Sequence, residues 1–127
     1  GVYLSEPAKE KKFNEGCKKG LSFCSAEMQG ISVNYQGGEE NVDAAIFSLD
    51  IGDGNSLFAV FDGHGGNFFN YLGHEVSKYV EKIFTEQLIS LEFYKNKDYQ
   101  KALDEVFKKV DEKISSPEGN SFLRSHR

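Results

Sequence analysis

Two stretches in the second half of the chain repeat apolar residues every three or four positions, as one face of an α-helix requires. The first predicts a helix over about residues 67–91 with Asn67 as its N-cap, and the second a helix over about residues 99–114 capped by Asp98. A Ser/Pro/Gly segment at residues 115–119 ends the second helix. The tail that follows, to Arg127, is polar and is predicted to be unstructured.

Shorter apolar runs before residue 62 predict three β-strands. Residues 21–26 alternate apolar with small polar side chains. Residues 44–49 and 56–61 are joined by an Asp/Gly-rich turn at 50–55, which predicts an antiparallel hairpin. Strands followed by helices predict an α+β fold with an antiparallel sheet and helices packed on one face. Three strands make a thin sheet whose unpaired edges need covering.

Composition restricts the class of protein. With 127 residues, 39% hydrophobic and 28% charged, the chain has the size and make-up of one globular domain. A net charge of −5 argues against nucleic acid as the main partner. No apolar run is long enough to span a membrane, and no signal-peptide pattern is present. Cys17 and Cys24 fit no common zinc-binding spacing, which predicts free thiols and a cytoplasmic location.

Residues 1–19 are rich in Lys and Glu and predict a polar N-terminal arm or a loose first strand. Gly1, with Ser5 in the fifth position, fits the N-myristoylation pattern that follows removal of an initiator Met. Lysines nearby would supply the second signal that one acyl chain needs for stable attachment. The segment therefore predicts peripheral membrane association, unless the match is due to chance or Gly1 is not a native residue.

The chemistry of the chain is concentrated at residues 62–66, Asp62-Gly63-His64-Gly65-Gly66. They follow the apolar run 57–61 and open the first predicted helix, which disfavours the simple interpretation as a surface turn. A carboxylate and a glycine carbonyl are ligands that Mg²⁺ and Mn²⁺ prefer. A metal-bound water becomes a nucleophile near neutral pH, and His64 could protonate a leaving alkoxide.

Residues 58–66, Phe58-Ala59-Val60-Phe61-Asp62-Gly63-His64-Gly65-Gly66, closely resemble the signature of the metal-dependent type-2C serine/threonine protein phosphatases. Residues 1–7, 15–16 and 25–30 also resemble that family, so that the resemblance covers most of residues 1–90. It implies an antiparallel β-sandwich flanked by helices in α-β-β-α order, of which this chain would hold the N-terminal half. Residues 1–19 would be its arm and residues 20–127 the N-terminal portion of the domain.

The resemblance also implies an activity, the hydrolysis of phosphoserine and phosphothreonine in proteins by a water activated at two Mg²⁺ or Mn²⁺ ions. In that arrangement Asp62 bridges both metals, Gly63 offers its carbonyl to one, and His64 is the general acid. Glu40 would serve the metal centre through water. The phosphoprotein is the expected partner.

The sequence departs from the family pattern in the segment before Ala44. Counting back from Asp62, Glu40-Asn41 takes the place of a Glu-Asp pair, and the amide removes a charge that two divalent ions need. Asp43 or Glu39 would replace the missing carboxylate if the loop were remodelled. The family's phosphate-gripping arginine is also missing, since no arginine precedes Arg124. These changes predict weaker metal binding.

Three functions are consistent with these residues. The first is a type-2C-like phosphatase, of which this chain, about half the size the resemblance implies, would show little or no activity alone. The alternative is a pseudophosphatase or protein-interaction module that keeps the fold without catalysis, which Asn41 and the missing arginine favour. A plain interaction domain would need the 62–66 motif to be accidental.

Overall fold

The computed structural model describes residues 11–18, 20–27, 43–63 and 73–125. The strands and helices in these ranges are β1 (Lys12–Lys18), β2 (Leu21–Glu27), β3 (Ala44–Ser48), β4 (Leu57–Phe61), α1 (Gly73–Ile89), α2 (Glu92–Lys95), α3 (Tyr99–Ile114) and α4 (Pro117–Ser125). Among the helices in these ranges, none combines the length and the apolar character needed to cross a membrane.

The predicted hairpin is confirmed. β3 and β4 pair antiparallel, with Ala44 opposite Phe61 at the open end and Ser48 opposite Leu57 at the turn. Both strands are rich in the aromatic and β-branched residues that favour a pleated, half-buried surface. The hairpin therefore brings the residues just before β3 and just after β4 to the same end of the sheet.

The turn between β3 and β4 fixes this register. The Ile51 amide donates to the Asn55 carbonyl, and the Asn55 amide donates to the Gly52 carbonyl, each at an N–O distance of 2.9 Å. Gly52, Asp53 and Gly54 have positive φ angles of 107°, 53° and 75°. Glycine enters this region without steric cost and Asp does so more readily than most residues, which explains the Asp/Gly-rich sequence.

A second antiparallel hairpin lies beside the first. β2 confirms the strand predicted over residues 21–26, and β1, paired with it, lies within the predicted polar arm. The Lys18 Nζ links the two hairpins, because it donates to the Leu49 carbonyl at 3.2 Å and lies 3.0 Å from the Asp50 Oδ2. The division of the chain at residue 19 remains a prediction.

The β3–β4 hairpin has helices on one face and the β1–β2 hairpin on the other. The Phe61 ring lies 5.2 Å from the ring of Phe84 in α1. On the opposite face, Phe47 and Phe58 contact Phe23 of β2 at 5.7 and 5.3 Å between ring centroids. The described residues therefore form a mixed helix-and-strand fold with two small antiparallel sheets. The complete sandwich remains a prediction.

The main core lies between the helices and the inner face of β4. Side chains alternate between the two faces of a strand and return to the same face of a helix every turn. One row of side chains from each element therefore packs in this core. The buried members of this cluster are Leu57, Phe84, Leu88, Tyr94, Ala102, Val106 and Val110.

Helix α3 matches its prediction at both ends. The carboxylate of Asp98 accepts from the amide of Lys101 at 3.4 Å, so that Asp98 is the N-cap that the sequence predicted. For the first helix, α1 confirms the segment from Gly73 to Ile89. Its predicted start and Asn67 cap lie outside the described residues.

One turn of helix, α2, occupies the segment between the two predicted helices. Its Tyr94 is 6% exposed and belongs to the core. Backbone bonds from Lys95 to Leu91 and from Asn96 to Glu92 close the turn. Burial of one aromatic side chain therefore stabilises a helical turn that lacks a periodic apolar pattern.

The prediction of an unstructured tail is wrong for residues 117–125, which form α4. The Ser116 Oγ accepts from the Gly119 amide at 3.1 Å and donates to the Lys113 carbonyl at 2.6 Å, which makes Ser116 the N-cap of α4. Pro117 occupies the first helical position and Glu118 the first turn, both favourable there. The same residues that end α3 therefore also start α4.

Helix α4 packs on the side of α1 that faces away from the main core. Leu123 is fully buried, and the Phe122 ring lies 5.0 Å from the Tyr79 ring. The hydroxyl of Tyr79 and both carboxylate oxygens of Glu75 are buried without a hydrogen-bond partner. Burial raises the pKa of the Tyr79 phenol, and the negative charge of Glu118 raises it further.

Replacing Tyr79 by Phe is expected to stabilise the protein against alkali. The ordinary phenol has a pKa of about 10, so the unfolded chain ionises there while the folded protein, whose pKa is higher, does not. Stability therefore falls as the pH rises through 10 towards the folded pKa, and Tyr79→Phe removes this loss. Urea unfolding at pH 7 and pH 10.5 measures it. An equal loss of stability in both proteins would contradict the expectation.

Candidate metal centre

Asp62 is the first residue after β4, and Gly63 follows it at the end of a described range. The apolar run ends at Phe61, which makes the last strand pair with Ala44. Asp62 is exposed, whereas Gly63 is buried. Asp62 therefore follows the end of a strand, as the apolar run predicts, but β4 is half-exposed rather than buried and the carboxylate lies at the surface.

Asp43 lies at the same end of the hairpin, directly before β3. Its Oδ1 accepts a hydrogen bond from the Gly63 amide at 2.9 Å. Continuing the register by one step beyond the Ala44–Phe61 pair sets Asp43 opposite Asp62. Paired residues of antiparallel strands have Cα atoms about 4.5–5.5 Å apart, so the two acids are neighbours.

Two neighbouring carboxylates suit a hard divalent cation. Two carboxylates repel each other, and a divalent cation bound between them attracts both and so offsets the repulsion. Oxygen donors are the ligands that Mg²⁺ and Mn²⁺ prefer. Asp43 and Asp62 therefore fit two positions of a metal site, although the described ranges contain no group of three or more His, Cys, Asp or Glu side chains that could hold a metal ion.

The other predicted site residues lie outside the described ranges. His64, the predicted general acid, and Glu40, the predicted water-mediated ligand, belong to segments 64–72 and 28–42. Their roles remain predictions. Of the predicted metal ligands, Asp62 and Gly63 lie together at the hairpin end, and the structure adds Asp43 beside them.

The sequence pattern predicts Asp43 only as a substitute ligand in a remodelled loop. A signal was nevertheless present, because in an antiparallel hairpin the residue before the first strand faces the residue after the second. Asp43 and Asp62 occupy those two positions. Sequence alone did not fix the register, which depends on the turn at residues 51–55.

The chain is similar in sequence to several curated proteins. It is 36% identical to "Probable protein phosphatase 2C 2" of Paramecium tetraurelia over 127 residues, all of this chain and 38% of that protein. It is 39% identical over 119 residues to "Probable protein phosphatase 2C 4" of the same organism, covering 94% of this chain and 35% of the relative. The chain belongs to the protein phosphatase 2C family. No protein-family model matches it.

A plant relative agrees with the ciliate proteins. "Probable protein phosphatase 2C 21" of Arabidopsis thaliana is 35% identical over 119 residues, which are 94% of this chain and 30% of that protein. The family suggested by the 62–66 motif is therefore confirmed. This protein phosphatase 2C chain spans less than two fifths of the length of the curated relatives it matches.

Proposed function

We propose that this chain supplies part of the metal centre of a serine/threonine protein phosphatase that hydrolyses phosphoserine and phosphothreonine in proteins. The observation that supports this most directly is the pair of acids, Asp43 and Asp62, at one end of the β3–β4 hairpin. Membership of the protein phosphatase 2C family supplies the reaction class. The donor set suits Mg²⁺ or Mn²⁺, two of which the family resemblance implies.

Asp43 takes two roles in this proposal. One carboxylate oxygen accepts from the Gly63 amide at 2.9 Å, a charge-assisted bond that holds the turn after β4. The carboxylate also adds a second negative charge beside Asp62. Asp43 thereby replaces the acid that is missing at position 41. The site then has two carboxylates, those of Asp43 and Asp62, although Asn41 carries an amide.

The remaining residues follow from the sequence pattern. Gly63 would offer its carbonyl to a metal, and Glu40 would contact the centre through water. The bound metals would supply Lewis-acid activation of water at neutral pH. His64 would hold the proton that the leaving alkoxide takes up, since an imidazole changes its charge near neutral pH.

A binding module without catalysis is the second candidate. No arginine precedes Arg124, so residues 1–123 have no guanidinium group that could bind a phosphate through two hydrogen bonds. Such a protein would keep the fold and bind a cation, and it would not turn over substrate. The two candidates make the same prediction for metal binding and opposite ones for hydrolysis.

Metal binding is tested first, on the 127-residue chain. Mn²⁺ titration followed by electron paramagnetic resonance is expected to show binding that Asp62→Asn weakens by at least about 10–100-fold, the range known for groups that support metal ligands. Asp53→Asn is the matched control. It removes the same charge at the other end of the hairpin, where Asn tolerates the positive φ of 53°. Binding that survives Asp62→Asn would remove the metal centre from the proposal.

Hydrolysis of para-nitrophenyl phosphate with Mn²⁺ separates the two functions. The 127-residue chain is expected to show little or no turnover, so the assay also uses a protein extended by the sequence downstream of Arg127. Mn²⁺-dependent turnover that is lost in Asp62→Asn supports the phosphatase. An extended protein that binds Mn²⁺ without turnover supports the binding module.

Two further expectations concern the location of the protein. Lipidation of Gly1 with peripheral membrane attachment, and a cytoplasmic location, remain predictions from sequence. Mass spectrometry of the N-terminus after expression in eukaryotic cells tests the first, because a myristoyl group adds a defined mass. Cell fractionation of the same material tests the second.

A further inference from the structure

A cavity of about 230 Å³ lies at the turn end of the β3–β4 hairpin, remote from the metal centre. Leu57, one of its lining residues, is five positions before Asp62 along β4. At about 3.3 Å per residue in a strand, this separates the cavity from Asp62 by about 17 Å. The metal chemistry proposed above therefore does not account for it.

The walls of the cavity are apolar and come from four parts of the fold. Ile51 belongs to the hairpin turn, Leu57 to β4, Leu88 to α1 and Leu103 to α3. No charged side chain lines it in the described part of the chain. Concave, mostly apolar cavities with a few fixed polar groups are the usual form of small-molecule sites.

The polar side chains of the cavity are those of Asn55, Ser56, Tyr94 and Tyr99, of which the Ser56 hydroxyl donates to the Leu49 carbonyl at 2.8 Å. The Asn55 Nδ2 donates to the Tyr94 hydroxyl at 3.0 Å and to the Tyr99 hydroxyl at 3.1 Å. Both amide hydrogens are thereby used, and both phenol oxygens act as acceptors. Each phenol keeps its own O–H to donate, and the Asn55 Oδ1 keeps its capacity to accept.

This polar end is preorganised. Asn55 is held in the turn by its backbone bonds to Ile51 and Gly52. Tyr94 is 6% exposed, and its ring meets the Tyr99 ring edge to face at 5.5 Å. A ligand would therefore find the two O–H donors and the amide acceptor already in place, and would lose little free energy in ordering them.

We propose that this cavity binds a small neutral molecule that joins a ring-sized apolar body to a carboxamide group. An apolar cavity of about 150 Å³ holds benzene, so the larger cavity here has room for a ring and its substituent. The carboxamide oxygen accepts from the Tyr99 hydroxyl, and its N–H donates to the Asn55 Oδ1. A carboxylate lacks that N–H, and a charged group would meet no counter-charge in the cavity.

Benzamide is the probe, titrated into the ¹⁵N-labelled 127-residue chain and followed by ¹H–¹⁵N correlation spectra. Saturable shifts are expected at the Asn55 side-chain amide and at the Ile51 and Leu103 backbone amides, with a dissociation constant in the millimolar range. Toluene and benzoate are expected to bind at least about fivefold more weakly, the factor that one neutral hydrogen bond supplies. Equal binding of benzamide and toluene would overturn the proposed carboxamide recognition.

Three variants locate the binding. Tyr99→Phe, at a half-exposed position that tolerates the change, is expected to weaken benzamide binding about fivefold. Tyr79→Phe deletes a hydroxyl outside the cavity and should leave the affinity unchanged. Leu103→Trp, at a side chain that is 43% exposed, should fill the cavity and abolish the shifts. Absence of saturable shifts in the wild-type chain, or an unchanged affinity in Tyr99→Phe or Leu103→Trp, would overturn the proposal.

Discussion

Replacing Phe84 by Ala is expected to remove a large part of the chain's free energy of unfolding. Phe84 is 2% exposed, and its ring contacts Phe61 of β4 at 5.2 Å and Phe107 of α3 at 5.6 Å. It therefore joins the hairpin to two helices. Truncation of a buried Phe to Ala costs about 3–5 kcal/mol, and small domains have a total stability of about 5–15 kcal/mol. Urea unfolding followed by circular dichroism at 222 nm measures the loss.

The matched control deletes the same side chain at the surface. Phe93 in α2 is 40% exposed, and the Lys101 ammonium lies 5.9 Å from its ring centroid. Phe93→Ala should cost no more than about 1 kcal/mol, because it removes little buried area. If both variants lost stability equally, Phe84 would not hold the position in the core that its ring contacts indicate.

The helices show how far local pattern determines structure. α3 was predictable because its capping acid and its apolar period agree, and both act within a few residues. α4 was not, since Ser116-Pro117 satisfies the rules for ending one helix and for starting the next. The choice depends on what Phe122 gains by packing on Tyr79 of α1 and on what Leu123 gains by full burial. That gain comes from tertiary contacts, which a local pattern does not contain.

The candidate site also has a part that the local sequence predicts and a part that it does not. Asp62 and Gly63 were predictable because an apolar strand leads directly into them and the motif is contiguous. Asp43 was not, because it comes from the other strand and its place depends on the hairpin register. Counting along the sequence pointed to Glu40-Asn41, whereas the hydrogen bond from the Gly63 amide joins Asp43 to the motif. The count through the loop and the pairing across strands therefore place the second acid at different residues, 41 and 43.

Asp43→Asn is expected to weaken Mn²⁺ binding as much as Asp62→Asn, by at least about 10–100-fold. The substitution is informative because the Asn Oδ1 still accepts from the Gly63 amide, so the turn is preserved and one negative charge is removed. Asp43→Ala removes both the charge and the hydrogen bond. It should bind Mn²⁺ no better than Asp43→Asn and should also lower the free energy of unfolding by about 1.5–3 kcal/mol, the usual range for a hydrogen bond to a charged group.

Glu40→Gln, measured in the same titration, decides between the two acids. If Asp43 completes the pair with Asp62, then Asp43→Asn has the larger effect and Glu40→Gln the smaller, since a ligand that acts through water contributes less than one in direct contact. The reverse order would mean that Asp43 acts only as a cap for the Gly63 amide. The metal site would then depend on the segment before Asp43, as the count along the sequence suggested.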